Sequence, residues 1–194
     1  MNTHIEYERK FLIGKSDWMH YVSKTVYIVQ GYLSFDIPSV RIRKQCSVNQ
    51  CDNLFCNQCT FGDKFTIQLS YNITIKGTKN KEDLACRDEF NIPVSPTIGD
   101  HILRQVKKDF IVKQRHFVKY DDIIWTIDEF KRDNQDLIVA EVENSNNLPK
   151  DEFNKSVNTH MPTWVLEEVT QDPDYLNVNL ARHPYNTWDL NKNK

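Results

Sequence analysis

The first ten residues carry a charged pattern, Glu6-x-Glu8-x-Lys10, whose spacing suits metal and phosphate chemistry. Successive side chains of an extended strand point to opposite faces, so these three share one face and Arg9 and Phe11 share the other. Buried charges are costly unless they are paired, hydrated or bound to a ligand. Two carboxylates one strand period apart are candidate ligands of a hard cation such as Mg²⁺ or Mn²⁺. The segment therefore predicts a strand with a metal-binding face.

Charged residues recur at the same period along the chain. For one strand, polar residues facing water explain such alternation. Over seven successive candidate strands the pattern changes, with basic residues in the middle and a second acidic pair near the end. These later in-phase residues are Arg41, Arg43, Lys76, Arg87, Glu89, Lys113, Arg115, Asp128, Glu141 and Glu143. The series therefore favours a shared, charged inner face.

A framework is needed to bring these faces together. An antiparallel barrel achieves this without a long free edge, with its outer face covered by helices. We therefore predict an α+β fold, a closed eight-stranded antiparallel β-barrel with helices packed on the outside. Helical spacing of apolar residues predicts those helices at 16–25, 97–108, 149–157 and 175–182, whereas 163–169 fits either a strand or a turn.

The predicted interior places a cationic cluster beside a carboxylate cluster. Arginine grips phosphate oxygens with two parallel hydrogen bonds, and lysine adds a point charge. A divalent cation held by carboxylates commonly bridges to substrate phosphates. A polyphosphate or a nucleoside triphosphate satisfies both clusters.

In their order and spacing, these motifs resemble the signature of the CYTH, or triphosphate tunnel metalloenzyme, superfamily. The motif Gln30-Gly31-Tyr32-Leu33 and the stretch 168–177 are similar to the small bacterial-type triphosphatases of that superfamily, so the resemblance covers nearly the whole chain. It implies an eight-stranded antiparallel tunnel and a metal-dependent attack of water on a triphosphate. Inorganic triphosphate is a common substrate in the family.

The resemblance also implies roles for individual residues. Its metal ligands would be Glu6, Glu8, Glu141 and Glu143, directly or through water. Its substrate-binding residues would be Lys10, Arg41, Arg43, Lys76, Lys113 and Arg115, with Arg87 as a substrate contact or a salt-bridge partner. The catalytic set would be Glu6, Glu8, Lys10, Arg41, Arg43, Lys76, Glu89, Lys113, Arg115 and Asp128. In that set Glu89 and Asp128 orient the basic residues, help to hold a second metal, or position the attacking water.

The leading hypothesis is a metal-dependent triphosphatase that hydrolyses the terminal phosphoanhydride of inorganic tripolyphosphate or another small organic triphosphate. Three alternatives stay open. They are a class IV-type adenylate cyclase, an RNA 5′-triphosphatase, and a non-catalytic polyphosphate- or nucleotide-binding module.

Composition is consistent with a single intracellular domain. The chain has 194 residues and a formal net charge of −2, so no global basic field indicates a nucleic-acid partner. We therefore expect no nucleic-acid partner, unless it is the 5′-triphosphate end of an RNA. We expect one domain over 1–190, a frayed tail at 191–194, no membrane association, a cytoplasmic location, and a monomer or a homodimer.

The segment at about 44–64 carries Cys46, Cys51, Cys56 and Cys59 between two predicted strands. The closing Cys-x2-Cys is a plausible half of a zinc site, but the first two spacings match no usual zinc template. We expect a mobile hairpin insertion with free thiols, with zinc binding or disulfide pairing as the alternatives.

Overall fold

The structure is a computed structural model that describes residues 4–14, 17–47, 69–80, 83–106 and 109–188. The side chains of 4–6, 78–80 and 83–88 are outside that description, although their strands are within it. Most of the cysteine-rich segment and the tail at 191–194 also lie outside the described residues, so those two predictions stay predictions.

The described residues form nine β-strands and three α-helices. The strands are β1 (His4–Ile13), β2 (Val22–Ser34), β3 (Ser39–Cys46), β4 (Leu69–Asn80), β5 (Asp83–Val94), β6 (Ile111–Tyr120), β7 (Ile123–Phe130), β8 (Ile138–Glu143) and β9 (Val165–Glu168). The helices are α1 (Pro96–Leu103), α2 (Lys150–Thr159) and α3 (Asn177–Arg182). The α+β class is therefore confirmed.

All strands belong to one antiparallel sheet, in the order β5-β4-β3-β2-β6-β7-β8-β1-β9, with a further pairing of β5 with β1. Strand β1 changes neighbours along its length: 4–7 pair with β5, 8–12 with β8, and 11–13 with β9. The predicted closed barrel of eight strands is therefore wrong, because the described strands number nine and their sheet is not closed into a barrel. A ninth strand replaces β5 beside the later part of β1.

Helix α1 and helix α2 cover the apolar face of the sheet. Leu103 of α1 packs in a cluster with Tyr27 and Ile42, and Phe153 of α2 packs in another with Phe11 and Trp125. These sheet residues alternate with the charged ones, which confirms that two helices lie on the outer face. The apolar cores anchor the strands that present the charges on the other face.

Helix α3 lies on the opposite side of the sheet from the other two helices. Its Leu180 packs in a cluster with Ile111, Phe130 and Val139. Each of these three lies two residues along its strand from a charged residue, respectively Lys113, Asp128 and Glu141. They therefore project from the charged face. The prediction that the helices all pack outside is wrong for α3, which covers one end of the charged face.

The segment predicted as a helix at 16–25 is a short 3₁₀ turn, Asp17–Tyr21, followed directly by β2. The β-branched residues in 22–29 favour an extended chain, and pairing with β3 and β6 satisfies it. The ambiguous region 163–169 contributes β9. In the part of the chain that the structure describes, no helix has the length and apolarity that crossing a membrane requires.

Candidate active site

Strand register brings acidic and basic side chains face to face. Lys10 lies opposite Glu141, and Glu8 lies opposite Glu143, in the β1–β8 pairing. Arg115 lies opposite Asp128 in the β6–β7 pairing. Residues directly opposite each other on antiparallel strands project from the same face. The sheet therefore builds one continuous charged face from strands far apart in sequence.

Asp128 is the buried hub of this face, with none of its surface exposed. Arg115 donates from Nε to Oδ1 and from Nη2 to Oδ2, both at 2.6 Å, and Lys113 forms an ion pair with Oδ2. Burial disfavours the ionised carboxyl, but Arg115 and Lys113 outweigh it and hold the pKa of Asp128 below its usual value. Asp128 thus fixes two cations in place as a permanent anion.

Glu141 holds the next pair of cations. Its Oε1 accepts from Lys10 and its Oε2 accepts from Arg115. Lys10 Nζ also lies 2.9 Å from Glu8 Oε1. Burial disfavours both charges, but their mutual attraction outweighs it. The pKa of Glu141 is held well below its ordinary value, and the pKa of Lys10 is raised above its ordinary value. Both groups therefore stay ionised at neutral pH.

A second group of charges forms on β3, β4 and β5. Glu89 pairs with Lys76, and Arg41 Nη2 lies 3.7 Å from Glu89 Oε1. Arg41 Nη2 also donates to Thr74 Oγ1 at 3.3 Å, and the Thr74 hydroxyl donates to Asn91 Oδ1 at 2.7 Å. Each of these side chains is positioned by strand register, since Thr74 lies opposite both Arg41 and Asn91.

Arg43 has a neutral partner. Its Nε donates to Oε1 of Gln30 at 3.1 Å, and Gln30 lies directly opposite it in the β2–β3 register. Enclosure by the protein, together with the guanidiniums of Arg41 and Arg115, lowers the pKa of Arg43. The face therefore has an excess of positive charge at Arg43, which an anionic ligand would relieve.

Lys113 is the most deeply buried cation, with none of its surface exposed. Besides its ion pair with Asp128, its Nζ lies 3.4 Å from Oδ1 of Asn177, at the start of α3. Burial lowers the pKa of Lys113 to about 7, against the opposing effect of Asp128. Its charge is therefore sensitive to pH in the neutral range.

The structure brings most of the predicted site residues together on this face. They are Glu8, Lys10, Arg41, Arg43, Lys76, Glu89, Lys113, Arg115, Asp128 and Glu141. Glu143 is exposed at the end of β8, across from Glu8. Glu6 and Arg87 lie opposite each other in the β1–β5 register, but their side chains lie outside the described part of the structure. Within the described residues no three acidic, histidine or cysteine side chains converge as a metal site, so the four-carboxylate prediction stays a prediction.

Several uncharged residues that sequence reasoning did not select also contact the charges. Gln30 accepts from Arg43, while Thr74 accepts from Arg41 and donates to Asn91. The spacing along the strand indicates that Thr74 and Asn91 project from the charged face, since Thr74 is two residues from Lys76 and Asn91 is two residues from Glu89. Asn177 has no such signal, because it reaches Lys113 from a helix distant in sequence.

Comparison with known proteins agrees with this architecture. The chain is 33% identical to the inorganic triphosphatase of Acetivibrio thermocellus over 184 residues, which are 93% of this chain and 95% of that protein. The solved structure of the inorganic triphosphatase NE1496 covers 90% of this chain and 96% of its own, with 24% identity and a TM-score of 0.55. The PH1012 protein of Pyrococcus horikoshii covers 79% of this chain and 86% of its own, with 17% identity and a TM-score of 0.51. No protein-family model matches the chain.

The two solved structures share the fold, while the curated relative matches the chain at higher identity and almost end to end. The Glu-x-Glu-x-Lys strand, the paired arginines and the second Glu-x-Glu strand all contribute to one charged face. The chain therefore belongs to the family of the Acetivibrio thermocellus inorganic triphosphatase, within the CYTH, or triphosphate tunnel metalloenzyme, superfamily.

Proposed function

We propose that the protein is a metal-dependent triphosphatase that hydrolyses the terminal phosphoanhydride of inorganic tripolyphosphate. The observation that carries the proposal is the convergence of six cations on one face of the sheet. They are Lys10, Arg41, Arg43, Lys76, Lys113 and Arg115. Five of these cations already pair with carboxylates, so a bound polyanion would add to that compensation and would supply it at Arg43.

A linear polyanion fits the shape of this charged face. The cations come from β1, β3, β4 and β6, so they are spread along the face instead of meeting at one point. Pairing of β5 with β1 at 4–7 brings the two ends of the strand order together, so we propose that the sheet curves around the charges. A chain of three phosphates would meet cations at each of its ends.

The carboxylates on the same face suit Mg²⁺ or Mn²⁺. Both oxygens of Glu141 already accept from cations. Glu8 and Glu143 lie opposite each other on β1 and β8 and project from one face, so we propose them as direct ligands. Glu6 fits by its phase along β1, and Glu141 fits a contact through water. When bound, the ion supplies neutralisation of phosphate charge and orientation of the attacking water.

The basic residues supply electrostatic stabilisation of phosphoryl transfer. In this reaction charge spreads over the oxygens of the transferred group, so fixed positive groups act on the transition state directly. Asp128 and Glu89 act through the cations they hold, since each lies within ion-pair distance of two basic side chains. Their role is to position Arg115, Lys113, Lys76 and Arg41.

Helix α3 favours a compact substrate. It packs over one end of the charged face through Leu180, and Asn177 reaches Lys113. A nucleoside or an RNA 5′ end attached to the triphosphate would need open space beyond the charges. The covered end therefore supports tripolyphosphate over the substrates of an adenylate cyclase or an RNA triphosphatase.

Phosphate release tests this function. The purified protein is incubated with tripolyphosphate, ATP or thiamine triphosphate, each with and without Mg²⁺ or Mn²⁺. Metal-dependent orthophosphate release from tripolyphosphate, with little from ATP, is the expected result. Pyrophosphate from ATP without orthophosphate would instead identify a cyclase. Binding of tripolyphosphate without release from any substrate would identify a binding module.

A single substitution separates the acidic from the basic part of the site. Glu8→Gln should slow orthophosphate release by at least about 10-fold, because metal-site residues commonly cost that much or more when altered. Tripolyphosphate binding should remain. The control is Glu152→Gln on the exposed side of α2, which should change neither property. Loss of all binding in Glu8→Gln would contradict this division of the site.

A further inference from the structure

Gln30 is a fully buried polar residue in the middle of β2. None of its surface is exposed, although its side chain is on the charged face of the sheet. Its amide is satisfied on both sides. Oε1 accepts from Arg43 Nε at 3.1 Å, and Nε2 donates to the Tyr32 hydroxyl at 3.3 Å. A buried amide with both ends engaged holds one orientation.

The partner of Gln30 is chemically distinct within the cluster. Lys10, Lys76, Lys113, Arg41 and Arg115 each lie within ion-pair distance of a carboxylate. Among the described residues, the hydrogen bond found for Arg43 goes to the neutral amide of Gln30. The other cations are therefore neutralised at closer range than Arg43, on which Asp128 and Glu89 act only from a greater distance.

We infer that Gln30 is a positioning residue that orients Arg43 through a neutral hydrogen bond and so keeps the full guanidinium charge for a phosphate group of the substrate. This inference rests on the proposed function and extends it to a residue outside the charged motifs. The hydrogen bond occupies Nε, which leaves the two Nη groups to form parallel bonds to phosphate oxygens.

Charge explains why an amide suits this position better than a carboxylate. A glutamate at 30 would have the same length and the same acceptor atom, but it would neutralise Arg43. Its negative charge would also repel an incoming polyphosphate inside a low-dielectric site. The amide gives the orientation without either cost.

The test compares Gln30→Glu with the wild-type protein, using tripolyphosphate as the probe. We expect KM and the dissociation constant to rise by about 10- to 100-fold, the range expected when the neutralised Arg43 no longer forms a charge-assisted hydrogen bond to a phosphate group, with a smaller change in kcat. The defect should shrink as the pH falls and the new carboxyl becomes protonated. A purely structural role for Gln30 would give no such recovery.

Two further variants make the test specific. Gln114→Glu is the control, because it makes the same change on β6 at a residue one position out of phase with Lys113 and Arg115, on the opposite face. It should leave KM unchanged. Gln30→Met removes the hydrogen bond without adding a charge, so it should weaken binding with no recovery at low pH. Thermal unfolding of each variant verifies that it is folded.

The outcomes separate this inference from the proposed function. If wild-type protein releases no orthophosphate from tripolyphosphate, the proposed function fails, whatever the Gln30 variants do. If wild-type protein is active and Gln30→Glu or a folded Gln30→Met binds tripolyphosphate as tightly as wild type, the inference is overturned and the function stands.

Discussion

Replacing Asp128 by asparagine tests whether the buried ion network holds the site together. The substitution preserves shape but removes the negative charge that Arg115 and Lys113 share. One oxygen of the new amide still accepts, but its NH₂ group faces donors where a second acceptor stood. Two cations are then left in a buried place without their common anion.

The structure sets the size of the expected effect. Asp128 has no exposed surface, so solvent screens its ion pairs very little. Removing one partner of a buried pair costs about 3–5 kcal/mol of unfolding free energy, because the remaining charge is uncompensated. For a chain of 194 residues, this corresponds to a fall in Tm of roughly 6–20 °C.

Urea unfolding measures the loss of unfolding free energy in Asp128→Asn, with Glu129→Gln as the control variant. Glu129 is the next residue along β7, lies on the other face, is 32% exposed and pairs with Lys131 at 2.7 Å. Exposed pairs contribute about 0.2–1 kcal/mol, so Glu129→Gln should change little. Equal effects of the two substitutions would show that the Asp128 network does not stabilise the fold as argued here.

Acid provides an independent check of the same network. The pKa of Asp128 is lowered from 3.8 in the folded protein, so its stabilising charge is present above that value and is lost as pH falls through the folded pKa. The difference in unfolding free energy between wild type and Asp128→Asn should therefore be fully present above pH 3.8, on the acidic side of the range in which Lys113 titrates, and shrink below pH 3.8. If the difference in unfolding free energy instead grows on acidification, the stabilising role of the ionised carboxylate is refuted.

Two further predictions concern a pH-sensitive cation and the packing of α1. Burial lowers the pKa of Lys113 to about 7, so the attraction of its charge for an anion should be lost as pH rises through 7. The ratio of the KM of Lys113→Met to the KM of wild type, both for tripolyphosphate, should therefore exceed one below pH 7 and approach one above it. A ratio that is independent of pH would contradict this. In Gly99→Ala the new Cβ would lie 2.3 Å from the Tyr71 ring, so we expect a loss of about 1–3 kcal/mol of stability in thermal unfolding. Tyr71 lies out of phase with Lys76, so the folded fraction should keep its KM, and a raised KM would show that α1 affects the site.

Period-two alternation was sufficient to predict which charged residues share a face. Lys10, Arg115 and Asp128 lie together as predicted, and Arg9 lies on the other face, where Glu168 accepts from it at 2.6 Å. This part of the site follows from local geometry alone, since a strand exposes alternate residues to alternate sides whatever its partners are.

The parts that the sequence did not predict depend on contacts between distant segments. The helix expected at 16–25 is replaced by β2, because pairing with two neighbouring strands outweighs a weak helical spacing. Helix α3 was found by its apolar spacing, but nothing in that spacing shows which face of the sheet it covers. The partner of Arg43 depends on strand register, which places Gln30 opposite it.

The charged face contains cations in direct ion pairs and one cation, Arg43, whose hydrogen bond among the described residues goes to a neutral amide. Arg115 and Lys113 share Asp128, so much of their charge is already balanced and their positions are fixed. Arg43 is hydrogen-bonded to a neutral group beside other guanidiniums, and Asp128 and Glu89 act on its charge only from a greater distance, so an arriving anion would stabilise it further. Binding energy for a polyphosphate should therefore come disproportionately from Arg43, because the anion does not have to compete there with a resident carboxylate. The same argument explains why a face with many carboxylates can still attract a triphosphate.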